Sequence, residues 1–194
     1  MARTRVIDRE AVLDAAERVV SRDGANRLTL EAVALEAGIS KASVLYDYKT
    51  KQALIKAVIE RRINTETARM QALMDAQPEL RNCPVTARIT KACRSVSEAD
   101  RAIVVNLIAA LAHDADLREP VQAVYRQQIG ELGQCASDPR RARLAFLALE
   151  GLMFMEWFGL YAWSKDERED ILNDIGWLLD RNELSSNRAW EPAQ

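Results

Sequence analysis

The chain has 194 residues, of which 48% are hydrophobic and 29% are charged, and its formal net charge is −2. This composition is typical of a globular protein of one or two domains, and it excludes a strongly basic protein that coats nucleic acid without specificity. Glycine and proline number only 7 and 5, which favours an all-α fold of about nine helices. No apolar run is long enough to span a membrane and no signal peptide is evident, so we expect a cytoplasmic protein.

Charge is distributed unevenly along the chain. Residues 1–62 contain 12 Lys or Arg against 9 Asp or Glu, whereas the remainder contains 15 against 20. A modestly basic N-terminal third followed by an acidic body indicates a nucleic-acid-binding end and a C-terminal part with another purpose.

The first predicted helix follows Asp8, a good N-cap residue, and runs to about Arg22. Its spacing predicts a buried stripe formed by Val12, Ala15, Ala16, Val19 and Val20. Arg3 and Arg5 precede it in a basic leader, which is either disordered or an arm that reaches a DNA minor groove.

Residues 29–51 predict two short helices joined by a tight turn. An apolar stripe at i, i+3 and i+4 begins at Leu30. Thr29 and Ser40 are placed to cap the two helices, and Gly38 can adopt the left-handed conformation that ends the first. This arrangement is a helix-turn-helix, in which the second helix is a candidate reader of the DNA major groove.

Helical periodicity turns Val44 and Tyr48 of the second helix inward and presents Ala42, Ser43 and Tyr46 outward. A small side chain, a hydroxyl and an aromatic ring can lie against base edges. Positive charge suited to phosphates brackets this face, from Lys41, Lys49 and Lys51. The alternative is a plain helical hairpin with solvated lysines.

The stretch from Val6 to about Ile63 resembles the DNA-binding domain of the TetR family of bacterial transcriptional regulators. The matching segments are Asp23-Gly24, Leu28-Thr29-Leu30, Ala34, Ala37-Gly38-Ile39-Ser40-Lys41, Tyr48-Lys49-Thr50-Lys51 and Leu54. The resemblance covers about a third of the chain. It implies a DNA-binding regulator that dimerises through its last two helices and binds a small apolar or amphipathic ligand in its C-terminal body.

Carried over residue by residue, the resemblance implies base contacts from Lys41, Ala42, Ser43 and Tyr46, and backbone contacts from Thr29, Lys49 and Lys51. Ser40, which opens the reading helix, completes the candidate DNA-binding set. The chain departs from the family pattern at three positions. Leu45 stands where a tyrosine is usual, Ala42 stands where glycine is commoner, and Asp47 is acidic near the phosphates.

After the motif, Thr50 can cap a long helix from Lys51 to about Ala76, which we interpret as the connector to the C-terminal body. A fifth helix is predicted near residues 85–96. Ser97 and Asp100 predict a capping box for a sixth, over about 98–114. Proline at a first helical position predicts a seventh helix that begins at Glu119-Pro120 and runs to about 135, and an eighth that begins at Asp138-Pro139.

The eighth helix is apolar nearly all round from Leu144 to Trp163, so it must be covered on every side. The ninth, over about 166–181, has one apolar face formed by Ile171, Leu172, Ile175, Leu178 and Leu179. Two such helices from each of two subunits can form a four-helix bundle, which predicts a homodimer through about residues 139–181. Gly151 and Gly159 would permit close approach of helices there.

No motif of a catalytic site is present: the chain lacks a Gly-rich phosphate loop, HExxH and a nucleophile elbow, so we expect no enzyme. The candidate effector pocket is formed by Met153, Phe154, Trp157, Phe158 and Tyr161, which are first of all expected to form core and interface. Glu150 and Glu156 are either structural residues, partly exposed or at a dimer interface, or ligands of a cationic effector. The structural interpretation is favoured because buried carboxylates need partners.

The three cysteines, Cys83, Cys93 and Cys135, lack metal-ligand spacing, and His113 is the only histidine. We therefore expect free thiols and neither a metal nor a cofactor.

These patterns predict a DNA-binding transcriptional regulator, a repressor released from a palindromic double-stranded operator by a small-molecule effector. The predicted division is a DNA-binding domain over 1–50, an effector-binding and dimerisation domain over 51–183 and a flexible tail over 184–194. From another class, the alternative is a helical adaptor that binds a protein partner through the apolar eighth helix.

Overall fold

The structure is a computed structural model and describes residues 8–82, 84–93, 97–112, 114–132 and 138–179. The described residues form nine α-helices, two short 3₁₀ turns and no strand, which confirms the predicted all-α fold. The helices are α1 (Arg9–Asp23), α2 (Leu30–Ala37), α3 (Lys41–Asp47), α4 (Lys51–Ala76), α5 (Pro84–Ala92), α6 (Glu98–Leu111), α7 (Ala115–Leu132), α8 (Pro139–Trp157) and α9 (Lys165–Trp177). None of these described helices is long and apolar enough to cross a membrane.

The N-terminal core is built around α1. Its predicted stripe is buried throughout, and Leu13 joins it. The stripe packs against α2, α3 and the first half of α4. Leu54 of α4 and Leu28, which precedes α2, are fully buried. Ile103 and Leu107 of α6 and Leu117 of α7 also belong to this core. The three N-terminal helices therefore share apolar packing with the C-terminal body through α6 and α7.

A second core lies between α5, α7, α8 and α9, around Phe146, Leu149, Leu172 and Ile175. A small third cluster joins Leu73 of α4 to Leu80 and Ala87, with Met70 and Met74 packed against it. The second half of α4 thus faces the body with Met70, Leu73 and Met74.

The predicted start of α7 is wrong. The helix begins at Ala115, and Pro120 lies inside it. The Asp114 carboxylate accepts hydrogen bonds from the backbone amides of Asp116 and Leu117, at 3.0 and 3.3 Å. Leu117 is buried in the N-terminal core, so its packing holds a first turn that the proline alone does not indicate.

The predicted end of α8 is also wrong, because the helix stops at Trp157 and does not reach Trp163. Gly159 adopts a left-handed φ of 63°. The amide of Leu160 then donates to the carbonyl of Met155 at 2.9 Å, which is the hydrogen bond of a Schellman ending. Tyr161 and Trp163 therefore lie in the connection to α9, and Gly159 is a helix terminator, not a site of close helix approach. The predicted range of α9 is shifted as well, since the helix spans Lys165–Trp177.

Gly38 offers a test of the turn between α2 and α3. Its φ of 65° is a left-handed value, and an added Cβ would meet no atom within 4 Å, so only backbone strain opposes alanine there. Gly38→Ala is expected to lower the free energy of unfolding by about 1 kcal/mol. Gly130→Ala, inside α7 and equally uncrowded, is the control and should raise it by about 0.5 kcal/mol. Urea unfolding measures the change in the free energy of unfolding of both variants. Equal effects would contradict a left-handed backbone at Gly38.

Candidate nucleic-acid interface and ligand region

The turn of the motif is fixed by three local hydrogen-bond devices. Thr29 Oγ1 accepts from the amide of Ala32 at 3.0 Å, and Ser40 Oγ accepts from the amide of Ser43 at 3.1 Å. Between them, the amide of Ile39 donates to the carbonyl of Ala34 at 3.0 Å after the left-handed Gly38. Both caps and the turn glycine thus have the predicted geometry, which sets the direction in which α3 leaves α2.

The two faces of α3 are divided as the periodicity predicts. Val44 is fully buried and Tyr48, its C-cap residue, is 4% exposed. Ala42 and Tyr46 are exposed, and Tyr46 is 75% exposed. Ser43 is half-buried, and its hydroxyl lies 2.9 Å from Ser40 Oγ. The outward face therefore presents a methyl, a hydroxyl and an aromatic ring, which are groups that can contact base edges.

The three candidate lysines are not equally available. Lys41 Nζ lies 2.5 Å from Glu31 Oε1, and this ion pair lowers the pKa of Glu31. Lys49 Nζ donates to the carbonyl of Tyr46 at 3.0 Å and sits 5.6 Å from the centroid of that ring. Lys51 Nζ donates to the carbonyl of Asn26 at 2.6 Å. Each ammonium retains further donors, so a phosphate can add to these contacts.

The acidic departure at Asp47 is compensated within the motif. Its carboxylate is largely buried and lies 3.7 Å from Arg9 Nε, and the Arg9 guanidinium also sits over the Tyr48 ring at 5.7 Å. From the sequence, Asp47 is unfavourable for DNA binding because it is acidic near the phosphates. Its partner Arg9 lies on another helix and cannot be recognised from the sequence. The pairing reduces the negative charge that DNA would meet.

Electrostatic contacts also fix α1 against α2. The Glu36 carboxylate lies 2.7 Å from Arg18 Nε and 2.9 Å from an Arg22 guanidinium nitrogen. The hydrogen bond from Arg18 has the largest effect and that from Arg22 the next, and both lower the pKa of Glu36. The two helices are therefore joined by charge at their surface as well as by the core beneath it.

The five residues of the candidate effector pocket fall into different surroundings. Phe154 and Phe158 stack with ring centroids 4.5 Å apart, and Phe154 is 49% exposed. Met153 packs against the C-terminal core, and Trp157 is half-buried. Tyr161 lies beyond the helix, with its ring 4.4 Å from that of Trp163. The structure thus brings together Phe154 and Phe158 but places Tyr161 with a different partner.

Glu150 and Glu156 each have an arginine partner. Glu156 Oε1 accepts from Arg168 Nε at 2.6 Å, and Arg168 also donates to the carbonyl of Ala92 at 2.8 Å. Glu150 accepts from Arg88 of α5 and, at 2.6 Å, from the hydroxyl of Tyr125 of α7. These contacts support a structural role for both carboxylates.

Arg88 and Tyr125 were missed by sequence reasoning, because they lie on helices far from Glu150 in the chain. Burial and the hydrogen bond to Glu150 raise the pKa of Tyr125, so its hydroxyl remains a donor at neutral pH. Within the described residues, Arg88 Nε and Trp163 Nε1 are buried donors without a protein acceptor. The body thus contains both buried polar groups and aromatic rings, as ligand sites do.

Cys93 is a free and exposed thiol. Among the residues that the structure describes, no group of His, Cys, Asp or Glu side chains is arranged to hold a metal ion. The predictions for Cys83, Cys135, His113, Arg3, Arg5 and the tail over 184–194 lie outside the described residues.

A capped helix-turn-helix with an exposed polar and aromatic reading face, carried on a helical body, defines a DNA-binding protein of the regulator class. Comparison with known proteins agrees. Residues 12–58 match the family model described as "Bacterial regulatory proteins, tetR family", and residues 82–180 match the model "Tetracyclin repressor-like, C-terminal domain". The second match alone covers half of the chain.

Similar solved structures have the same fold. A TetR-family member from Streptomyces coelicolor A3 is 25% identical, with a TM-score of 0.67, and the match covers 89% of this chain and 98% of that one. The multidrug binding protein EbrR complexed with malachite green is also 25% identical, with a TM-score of 0.65 and the same coverage. No curated protein sequence gives a significant match. The chain belongs to the TetR family and is a DNA-binding transcriptional regulator.

The pairing of Lys41 with Glu31 generates a prediction about non-specific binding. Glu31→Gln removes a carboxylate that now holds the ammonium, so Lys41 becomes free to contact a phosphate. The affinity for random-sequence duplex should rise, and the slope of log K against log salt should steepen by about one unit. Glu169→Gln, an exposed change on α9, is the control. A salt titration of both variants by fluorescence anisotropy checks this, and equal changes in both would refute it.

Proposed function

We propose that the protein is a repressor that binds a palindromic operator as a homodimer and is released by a small apolar or amphipathic effector. The observation that carries the DNA-binding half is the exposed face of α3, which leaves Tyr46 75% accessible beside Ala42 and Ser43. In this proposal Lys41, Ala42, Ser43 and Tyr46 contact bases, while Thr29, Ser40, Lys49 and Lys51 contact the sugar-phosphate backbone.

The proposed division of the chain is a DNA-binding domain over 1–50, an effector-binding and dimerisation domain over 51–183 and a tail over 184–194. The boundary at 50 falls at the Thr50 cap, whose Oγ1 accepts from the amide of Ala53 at 3.0 Å and starts α4. The first half of α4 then extends the N-terminal core, and its second half packs in the body.

Dimerisation through about residues 139–181 is supported by an exposed apolar stripe on α8. At 100° per residue, its members Leu144, Leu147, Ala148, Gly151 and Phe154 fall within an arc of about 120°. Leu144 and Leu147 are 58% and 57% exposed, and Phe154 is 49% exposed. Ala148 and Gly151 lie exposed between them and would allow a partner helix to approach closely. The apolar residues of α9 pack mainly in the core that this helix shares with α5, α7 and α8, and Trp177 of α9 is 50% exposed.

A dimer accounts for useful affinity from a short reading helix. One copy of α3 reaches few base pairs, whereas two copies about 34 Å apart, one turn of DNA, read a palindrome. An effector that binds better to another arrangement of the body helices would shift the population away from that spacing and weaken operator binding.

The effector region proposed from the sequence is the set Met153, Phe154, Trp157, Phe158 and Tyr161. The exposed Phe154 and the half-buried Phe158 and Trp157 offer apolar contact. The buried donors Arg88 Nε and Trp163 Nε1 would suit a ligand that carries a hydrogen-bond acceptor. The multidrug binding protein EbrR, to which the chain is similar, has been solved in complex with malachite green.

The first experiment is binding of the purified protein to the DNA upstream of its own gene and to a scrambled duplex, over a salt series. Sequence-selective binding with a steep salt slope is expected for the repressor. The second candidate, an adaptor that binds a protein through the exposed stripe of α8, predicts equal weak binding to both duplexes.

The reading face is tested by Lys41→Ala combined with Tyr46→Ala. Both side chains are exposed, so the variant should remain a folded dimer while operator affinity falls at least about 30-fold, two contacts each contributing about 1–3 kcal/mol. Arg126→Ala combined with Ile129→Ala removes a cation and a large side chain from the exposed part of α7, and should bind normally. Electrophoretic mobility shifts measure both, and retained binding by the first variant would show that bases are read elsewhere.

The dimer surface is tested by Leu147→Arg. Placing a charge within a buried apolar interface is expected to weaken the dimer at least about 100-fold, because an unpaired buried charge costs several kcal/mol. Ile129→Arg makes the same change at a comparably exposed apolar residue of α7, 49% against 57%, and should leave the dimer intact. Sedimentation velocity over a concentration series distinguishes the two, and a dimer that survives Leu147→Arg would move the interface away from α8.

A further inference from the structure

Two neighbouring arginines at the middle of α4 make different connections. Arg61 and Arg62 are both 17% exposed in their side chains. Arg61 lies 2.6 Å from Asp14 Oδ1 and 2.7 Å from Glu17 Oε1, so its ion pairs reach α1. Arg62 pairs with Glu17 at 3.3 Å and also with Asp100 of α6 at 2.7 Å. Among the ion pairs of the described residues, those of Arg62 join α1, α4 and α6 at one point.

The contact that Arg62 bridges is only partly closed by apolar packing. On one side, Ile103 and Leu107 of α6 lie in the N-terminal core. Farther along, Asn106 Nδ2 donates to the carbonyl of Val20 at 3.2 Å. On the side of Glu17, a cleft of about 280 Å³ separates the helices, lined by Asp14, Glu17, Arg18, Ser21, Ala99 and Ile103. Beside this cleft, the ion pairs of Arg62 therefore add polar contacts to the apolar packing of Ile103 and Leu107.

Asp100 lies where a movement of α6 would change its contact with Arg62. It lies in the first turn of that helix, and its backbone amide donates to the Ser97 cap at 3.0 Å. The Ser97 hydroxyl and Arg62 together lower the pKa of Asp100, so the carboxylate is charged. A shift of the α6 start by one or two ångströms would either break the 2.7 Å contact or pull Arg62 and Glu17 with it.

The other end of the connection reaches the reading helix through α1. Glu17 belongs to α1, which is joined to α2 through Glu36 and to α3 through the 3.7 Å contact of Arg9 with Asp47. Because α1 also forms the centre of the N-terminal core, the three helices are expected to move as one unit. A displacement of α1 would therefore reorient α3.

We propose that Arg62 is a positioning residue that ties the orientation of the DNA-binding helices to the position of α6. It contacts neither bases nor effector, and acts by holding Glu17 and Asp100 together. The separation of the two reading helices in a dimer then depends on this contact. This inference rests on the proposed function.

Half-site spacing gives a test that does not need the effector. An operator is selected from random duplexes with the wild-type protein, and affinity is measured for it and for a version with one base pair inserted between the half-sites. The ratio of the two affinities is the spacing penalty. Arg62→Gln is expected to reduce this penalty at least 5-fold. Arg61→Gln, which removes ion pairs to α1 but none to α6, should retain it within 2-fold.

A second variant separates positioning from mere stability. Asp100→Asn should reduce the spacing penalty as Arg62→Gln does, and the double variant should lose no more than Arg62→Gln alone, because both changes break one contact. Additive losses, or an unchanged penalty in folded Arg62→Gln and Asp100→Asn proteins, would overturn the inference. Failure of the wild-type protein to select any sequence would instead overturn the proposed function.

Discussion

The apolar face of α1 is the contact on which the rest of the structure depends. Six of its residues are buried, and they meet α2, the first half of α4 and α6 in one core. A core at native packing density transmits displacement because its side chains cannot be compressed. The motif is therefore not an independent appendage, and its orientation depends on helices that belong to the C-terminal body.

This shared core explains why α4 is long. At 26 residues it spans about 39 Å, enough to contribute to the N-terminal core at one end and to the Leu73 cluster at the other. The charged middle of α4, with Arg61 and Arg62, lies between these apolar ends. Apolar burial thus holds the two ends of the helix in place, while the ion pairs at its centre connect it to α1 and α6.

Charge pairing also modifies the candidate interface with DNA. Lys41 and Lys49 look free in the sequence, yet each has a local partner, Glu31 for the first and the carbonyl of Tyr46 for the second. Asp47 looks unfavourable, yet Arg9 lies beside it. Partners of this kind reduce the attraction for any phosphate and leave more of the discrimination to the exposed groups of α3. Weaker attraction for phosphates together with discrimination between bases suits a regulator that must prefer one DNA site among many.

The sequence by itself determined the elements whose signals are local. The caps Asp8, Thr29, Ser40 and Thr50, the left-handed Gly38 and the buried faces of α1 and α3 follow from spacing and side-chain chemistry within a few residues. The TetR-family resemblance rests on the same segments. Where a single local signal was ambiguous, as at Pro120 and Gly159, the predicted helix boundaries were wrong.

Only the tertiary structure decided which distant residues meet. Glu150 finds Arg88 and Tyr125, Arg62 finds Glu17 and Asp100, and Asp47 finds Arg9, across separations that no periodicity encodes. It also decided that Tyr161 leaves α8 and that the apolar residues of α9 pack against α5, α7 and α8. These outcomes depend on the packing of whole helices against one another, and a side chain's partner is fixed only when that packing is complete.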